Sequence, residues 1–266
     1  ATPFVTHHRA SGEDVSLRIA TEIELKRLVA GGLERVYELG RVYRNEGADR
    51  THSPEFTTVE MYQAGIDTAC MMLLVERIIA EAALAAGCGE ELAGSPGAPV
   101  SYERMTMREA VRNLSGLTHV PIQLANRNVS WTEAVELPRY AHERLGMPAS
   151  LSYGRALQDL FDEHVVPHLE RPTFVLEHPL ELSPLSAASA HDPMVADRFE
   201  LYALGMEIAN GCAELTDPVE QRRRMEHQGS VDVSLIRALE LGMPPTAGCG
   251  IGVDRLCMLI TGASRI

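Results

Sequence analysis

The sequence predicts an α+β fold on a mainly antiparallel sheet, and two observations predict it. Strand-like segments fall close enough together to pair as hairpins, at residues 34–44 with 55–64 and again within 197–215, which breaks near Leu204 and Gly205. Segments with helical periodicity separate these hairpins.

The elements follow in order. Residues 15–30 begin extended and turn helical after Thr21, an N-cap with Glu24 three residues on. Gly31 and Gly32 end that helix. Residues 34–44 interleave valines and tyrosines as a strand, and residues 55–64 form its partner. Residues 68–87 form a helix with a broad apolar face, Met71 and Met72 belonging to the core. Two loops interrupt the chain, GEELAGSPGAPVS at 89–101 and MEHQGSVDVS at 225–234. The first divides it into two lobes, 1–88 and 102–266. Helices are expected at 102–114, 131–146 and 151–169, a short buried strand at 172–179, and a helix at 217–227 with Pro218 in its first position. GCGIGVDRLCMLITG (248–262) is a strand running into a helix.

Composition bounds the function. The 266 residues suffice for one large or two ordinary domains, and 45% hydrophobic with 23% charged residues is a globular balance. No run of about eighteen apolar residues exists to span a membrane. The start lacks the basic and apolar regions of a signal peptide. Five scattered cysteines without CxxC spacing are expected to be reduced thiols in a cytoplasm. Net charge −13 gives no general attraction to nucleic acid or anionic membrane. The one dense basic run, QRRRM at 221–225, is expected to be a solvated helix face.

The chemistry concentrates in VYRNEGADRTHSPEFTTVEMY (42–62). Side chains alternate across a strand, so Phe56, Thr58, Glu60 and Tyr62 share one face. Arg44 shares the parity of Gly40 and Val42, and folding the hairpin is expected to bring it beside Glu60. An arginine fork suits a carboxylate or phosphate, a carboxylate with a phenol suits an ammonium, and Phe56 offers a face for a purine. Together they would hold an amino acid beside a nucleotide.

RVYRNEG followed by HSPEFTTVEMY resembles motif 2 of class II aminoacyl-tRNA synthetases, most closely the lysyl type, which reads FRNEG and then HNPEFT. The resemblance extends to TPFVTHHRA (2–10), LRIATEIELKRL (17–28), GCAELTD (211–217) and the motif 3 segment PPTAGCGIGVDRLCM (244–258), and so covers nearly all of the chain. It implies a single catalytic domain over 1–266, with an antiparallel six-stranded sheet flanked by helices. It also implies ATP bent on that sheet with Mg2+, and an amino-acid carboxylate attacking the α-phosphate to give an aminoacyl adenylate. On the resemblance, Arg44 would bridge the α-phosphate and the substrate carboxylate, Glu46 would contact adenine, and His52 the tail phosphates. Phe56 and Arg255 would sandwich the adenine, while Glu200 and Glu207 would bind magnesium and phosphates. Glu22 would contact the α-amino group, Glu60 and Tyr62 would shape the amino-acid pocket, and Asn210 would help to hold the substrate. Glu214 would pair with a distal ammonium, which makes the pocket lysine-like.

Two motifs compete and carry less. GCGIG (248–252) has glycine spacing of the dinucleotide kind, but no βαβ unit and acidic residue follow, and glycines that admit ATP before Arg255 fit better. His164 and His168 have zinc-like spacing, but Pro167 disturbs the turn between them. Cys249 and Cys257 are expected to be small apolar packers.

The chain departs from the family pattern where the pocket usually reads GNGFSEL and here reads ANGCAEL. Ala209 replaces a glycine, and its methyl is expected to intrude where backbone lies close to ligand, as in a paralogue that attaches β-lysine to elongation factor P. Cys212 replaces an aromatic and shares the parity of Asn210 and Glu214, which enlarges the pocket. Neither motif 1 nor the family's N-terminal anticodon-binding OB-fold is expected within these residues. Three functions stand. The first is activation of lysine or a lysine-like amino acid for transfer to tRNA, by a cytoplasmic homodimer. The second is activation for a protein or metabolite acceptor. The third is a non-catalytic amino-acid and ATP-binding module, disfavoured because every phosphate-handling residue is kept.

Overall fold

The computed structural model describes residues 1–88 and 101–266, so the loop expected at 89–101 lies, but for its last residue, outside the described residues. The chain opens with an exposed ribbon of β1 (Val5–His8) and β2 (Glu13–Ser16), then α1 (Glu22–Ala30). The long hairpin of β3 (Arg35–Tyr43) and β4 (Glu55–Ala64) precedes α2 (Thr68–Ala85). Next come β5 (Glu103–Thr106), α3 (Met107–Leu114), α4 (Trp131–Leu145) and α5 (Tyr153–His164). The chain then runs through β6 (Thr173–Leu176), β7 (Arg198–Ala203), β8 (Met206–Ala213), α6 (Pro218–His227), α7 (Val233–Leu241), β9 (Thr246–Gly252) and α8 (Val253–Thr261).

Strands pair in the order β3-β4-β9-β8-β7-β6-β5. The first six are antiparallel neighbours and β5 joins parallel to β6, so the expected six-stranded sheet has a seventh strand. That strand lies inside the segment expected to be wholly helical. Thr106 ends it and caps α3 with a reciprocal Thr106–Glu109 box, so the helix starts later than periodicity indicates. The helix expected at 151–169 stops at His164, and Val166–His168 form a 3-10 turn around Pro167, which keeps His164 and His168 off one regular helix face. The loop at 225–234 gives way to α7, whose N-cap Asp232 accepts the Leu235 N–H at 2.9 Å. The two-residue turn at Leu204 and Gly205 has positive φ at both positions, as a hairpin between twisted strands favours.

Each sheet face has its own cover. Phe174, Phe199, Leu201, Ile208 and Ile251 pack against Met71, Val75 and Ile79 of α2 and Leu256 and Leu259 of α8. The other face is covered at its two ends. At one, α1 and α7 supply Leu25, Val29, Leu235 and Ile236, joined by Met225 of α6. At the other, α3, α4 and α5 supply Met107, Leu137 and Phe161 against Val175 and Tyr202. The middle of that face stays open as a cleft. Met71 and Met72 are core, as expected, and Cys249 is buried, but Cys257 is exposed on α8 rather than packed inside. All five cysteines are free thiols. Among the described residues no helix is long and apolar enough to cross a membrane.

Candidate functional site

Strand register lays out the cleft floor in rows. Tyr62 pairs with Gly248, Gly248 with Cys212 and Cys212 with Arg198. The next row runs Glu60, Gly250, Asn210, Glu200. Beyond it lie Thr58, which pairs with Gly252, and then Phe56. The alternate glycines of GCGIG are thus side-chain-free tiles. A Cβ on Gly248 would collide with Glu214 Oε1 and the Tyr62 ring, whereas one on Gly250 would meet the Glu60 Cγ at an ordinary 3.5 Å.

Glu207 has the wrong parity for this face in a regular strand. A bulge corrects it: pairing shifts between Leu201 and Tyr202, so that Leu201 opposes Ala209 while Tyr202 opposes Glu207. Ile208 is the extra residue, and it turns with Ala209 into the core beneath the sheet. Glu207 thereby joins Glu200 in the cleft. The same geometry corrects one expectation. Ala209 is 2% exposed and faces that core, so its methyl does not intrude on a ligand. Every other residue that the resemblance assigns to ATP, magnesium or the amino acid lines one cleft of ≈ 550 Å³.

At one end of the cleft Arg44 follows β3, its N–H donating to Pro54 O at 2.8 Å and its guanidinium lying 5.0 Å from the Phe56 ring centroid. The register sets Glu38 opposite Glu60 and Val42 opposite Phe56, so Arg44 makes no ion pair with Glu60, but as expected it lies near enough for its charge to pull the Glu60 pKa down. Arg255 donates to Glu207 O at 2.8 Å, to Thr51 O at 3.2 Å and to His52 Nε2 at 2.8 Å. An arginine has only donors, so His52 must accept at Nε2 and carry its proton on Nδ1, toward Asp49. The Thr51 backbone N–H and His52 hold Asp49 down to about 2.

Glu200 is enclosed by Arg198, Tyr202 and Asn210, with His178 Nδ1 at 4.0 Å. Burial opposes its charge, but His178 and Arg198 prevail and lower its pKa. Glu207, whose side chain is 40% exposed, is pushed the other way, up to about 7, by its partial burial and the Glu200 charge. Two carboxylates with opposed shifts share a site that a cation would relieve. Their oxygens suit a hard ion such as magnesium. Among the described residues no third His, Cys, Asp or Glu completes a metal cage, so further ligands would come from bound phosphates or water.

At the opposite end Glu22, Glu60 and Glu214 converge. Thr21 was expected to cap α1, yet its hydroxyl makes no cap bond and donates to Glu60 Oε2 at 3.0 Å. Burial and Glu22 raise Glu60. Burial raises Glu214 to about 7 against the pull of Lys26. Cys212 Sγ lies 3.6 Å from Glu214 Oε1, facing the cleft as its parity predicts. Burial and the nearby carboxylates hold Tyr62 and Cys212 well above their ordinary values, so both stay neutral.

Sequence reasoning missed Arg198 and Lys26. Arg198 donates to Asn210 Oδ1 at 3.1 Å and Ser183 Oγ at 3.0 Å and contacts Glu200. Strand parity, two residues before Glu200, was the available signal for it. Lys26 lies one helical turn after Glu22, a spacing at which acid and base side chains meet.

A family model described as tRNA synthetases class II (D, K and N) matches residues 1–266. The chain belongs to this family. Its similar proteins include the lysine–tRNA ligase of Synechococcus sp., 44% identical over all of this chain and 56% of that protein. The lysine–tRNA ligases of Streptococcus pyogenes and Streptococcus gordonii are 41% and 40% identical, each over all of this chain and 55% of the relative. The chain thus spans about half the length of the curated relatives it matches. The α+β fold with a mostly antiparallel sheet is that of a class II synthetase domain.

Proposed function

We propose that the protein containing this chain is an ATP-dependent ligase that activates lysine as an aminoacyl adenylate and transfers it to tRNA. The observation that carries the reading is the convergence of Glu22, Glu60 and Glu214 at one end of a cleft whose other end holds Arg44, His52 and Arg255. Three carboxylates suit a substrate with two ammonium groups, and the cations suit phosphates and a substrate carboxylate. The similarity to lysine–tRNA ligases supports the same substrate.

In this reading Glu214 binds the distal ammonium, Glu22 and Glu60 hold the α-amino end with Tyr62, and Asn210 orients the amino acid. Arg44 bridges the substrate carboxylate and the α-phosphate as charge builds on the phosphate, while Phe56 and Arg255 flank the adenine, Glu46 contacts its edge and His52 the tail phosphates. Glu200 and Glu207 would hold magnesium, which would neutralise phosphate charge. The protein supplies alignment and charge rather than a nucleophile. We read 1–266 as a single catalytic domain of a cytoplasmic homodimer. Tyr37 and Leu39 on the edge strand β3, 75% and 61% exposed, support a protein partner at that edge.

The deciding experiment is amino-acid-dependent ATP–pyrophosphate exchange by the full-length protein with α-lysine, β-lysine, ornithine and arginine, followed by tRNA charging. Exchange with α-lysine and charging of tRNA are expected. Exchange confined to β-lysine would turn the search to a protein or metabolite acceptor. That second reading has lost one support, because Ala209 faces the core. No exchange with any of the four would leave a binding module.

A further inference from the structure

Lys26 sits on α1 at 1% exposure, and a lysine is almost never buried so completely unless paired. Its Nζ donates to Glu22 Oε1 at 2.6 Å and contacts Glu214 Oε2. These are two of the three carboxylates at the amino-acid end of the cleft. Burial works against the charged ammonium, but Glu214 and Glu22 overcome it and hold Lys26 well above its ordinary pKa. Lys26 is therefore a permanent cation behind the wall of the cleft, paired with the two carboxylates that line it.

We propose that Lys26 is a positioning residue that sets amino-acid specificity: the built-in counter-ion that favours the charged form of Glu214 and aims it into the cleft. The inference rests on the lysine-activation reading and deepens it. Fully ionised, Glu22, Glu60 and Glu214 carry three negative charges and Lys26 cancels one. Two remain, matching the two ammonium groups of a diamino acid whose carboxylate goes to Arg44. Without Lys26 the count would be three against two at a buried end of the cleft, and a buried unpaired charge is costly.

Glu214 divides its two oxygens accordingly. Oε2 is buried against Lys26 and has no other polar partner. Oε1 lies toward the cleft beside Cys212 Sγ and above Gly248. One oxygen serves the protein's own cation and leaves the other for a ligand. Glu214, just past β8, is faced by Lys26 and Glu22 from α1, Tyr62 from β4 and Cys212 from β8, with Cys249 of β9 beneath the sheet. Of these Lys26 alone is cationic, so its loss would raise the Glu214 pKa further.

The test is lysine-dependent ATP–pyrophosphate exchange by the full-length protein and its Lys26→Met and Lys26→Arg variants, titrating lysine and ATP separately across pH. In Lys26→Met the KM for lysine is expected to rise by about tenfold or more at neutral pH, with the KM for ATP unchanged. The acid limb of kcat/KM for lysine should move up by about one pH unit. Lys26→Arg keeps a cation but changes its reach, so the limb stays in place while the KM for lysine still rises. A merely structural lysine would lower kcat for both substrates together and leave the limb where it was, and that result overturns the proposal. If Lys26→Met does not fold, Lys26→Arg decides: a wild-type KM for lysine overturns it, and a raised KM with an unmoved limb supports it. Lysine exchange by the wild type with an unchanged Lys26→Met sinks this inference alone. No lysine exchange by the wild type sinks the reading beneath it, and the inference with it.

Discussion

Single residues in the cleft differ in whether they act on stability or on ligands, and two glycines separate these effects. At Gly248 a Cβ would strike Glu214 Oε1 and the Tyr62 ring, both held by buried neighbours. Gly248→Ala should therefore displace Glu214, destabilise the sheet by about 1–3 kcal/mol and abolish lysine-dependent exchange. At Gly250 the nearest atom to a new methyl is 3.5 Å away, so Gly250→Ala should fold normally. It fills the cleft floor, and should raise the KM for lysine or ATP with thermal stability unchanged. Equal melting shifts in the two variants would contradict the register of the floor. Arg44 tests the opposite end. Its side chain contacts Ile19 O and the Phe56 face and anchors no core cluster. Arg44→Ala should cost roughly 3–4 kcal/mol of transition-state stabilisation with little loss of fold. Exchange within about tenfold of wild type would remove Arg44 from the chemistry.

Elements show which parts of the molecule the sequence made legible. Strand parity in β4 correctly grouped Phe56, Thr58, Glu60 and Tyr62, because a hairpin with a buried flank has little freedom of register. The same rule cannot see a bulge, so it gave no reason for Glu207 to face Glu200. For Ala209 it would have served, since Asn210 and Cys212 on the cleft floor send Ala209 to the other face, but the glycine it replaces in the family pattern drew the expectation toward the ligand. The extended start at residue 15 was legible, but β1 and the first half of β2 went unforeseen, because all of their residues are exposed and no apolar alternation marks them. β5 was read as helix because four residues are too few to display a period of two before the capped turn begins. Local hydrogen bonding also decided where helices start. Thr21 gave its hydroxyl to Glu60 and left α1 without a side-chain cap, while Thr106 caps α3 through both arms of a capping box. These two threonines should respond differently. Thr106→Ala should speed amide exchange in α3 by roughly the equivalent of 1 kcal/mol and leave the KM for lysine alone. Thr21→Val should raise the KM for lysine by freeing Glu60, with α1 unaffected. The reverse pattern would mean that Thr21 caps after all.

On the scale of the whole molecule, one sheet carries a core cluster on one face and two on the other, with the charged cleft between those two. Protonation inside the cleft should thus register as stability of the sheet itself. Glu214 makes this measurable. Burial raises it from 4.5 to about 7 in the folded chain. Below about 4.5 both folded and unfolded chains hold its proton, and above about 7 both have released it. Between those limits the folded chain still holds a proton that the unfolded chain has lost, so stability falls as pH rises through the window. Lys26 does not cancel the trend, because its raised pKa keeps it charged throughout. Native-state exchange of the β8 and β9 amides in the full-length protein should show a decline from pH 5 to 7 of roughly 3 kcal/mol at most from this group. Glu214→Gln should flatten that component while leaving the contributions of other groups. Saturating lysine should oppose the decline, since a bound ammonium favours the carboxylate and a ligand that binds only the folded state stabilises it. A wild-type slope equal to that of Glu214→Gln would mean that Lys26 already holds Glu214 fully ionised below pH 5. The acid limb in lysine activation would then have to come from another group, and Glu207, also raised to about 7, is the one the cleft offers.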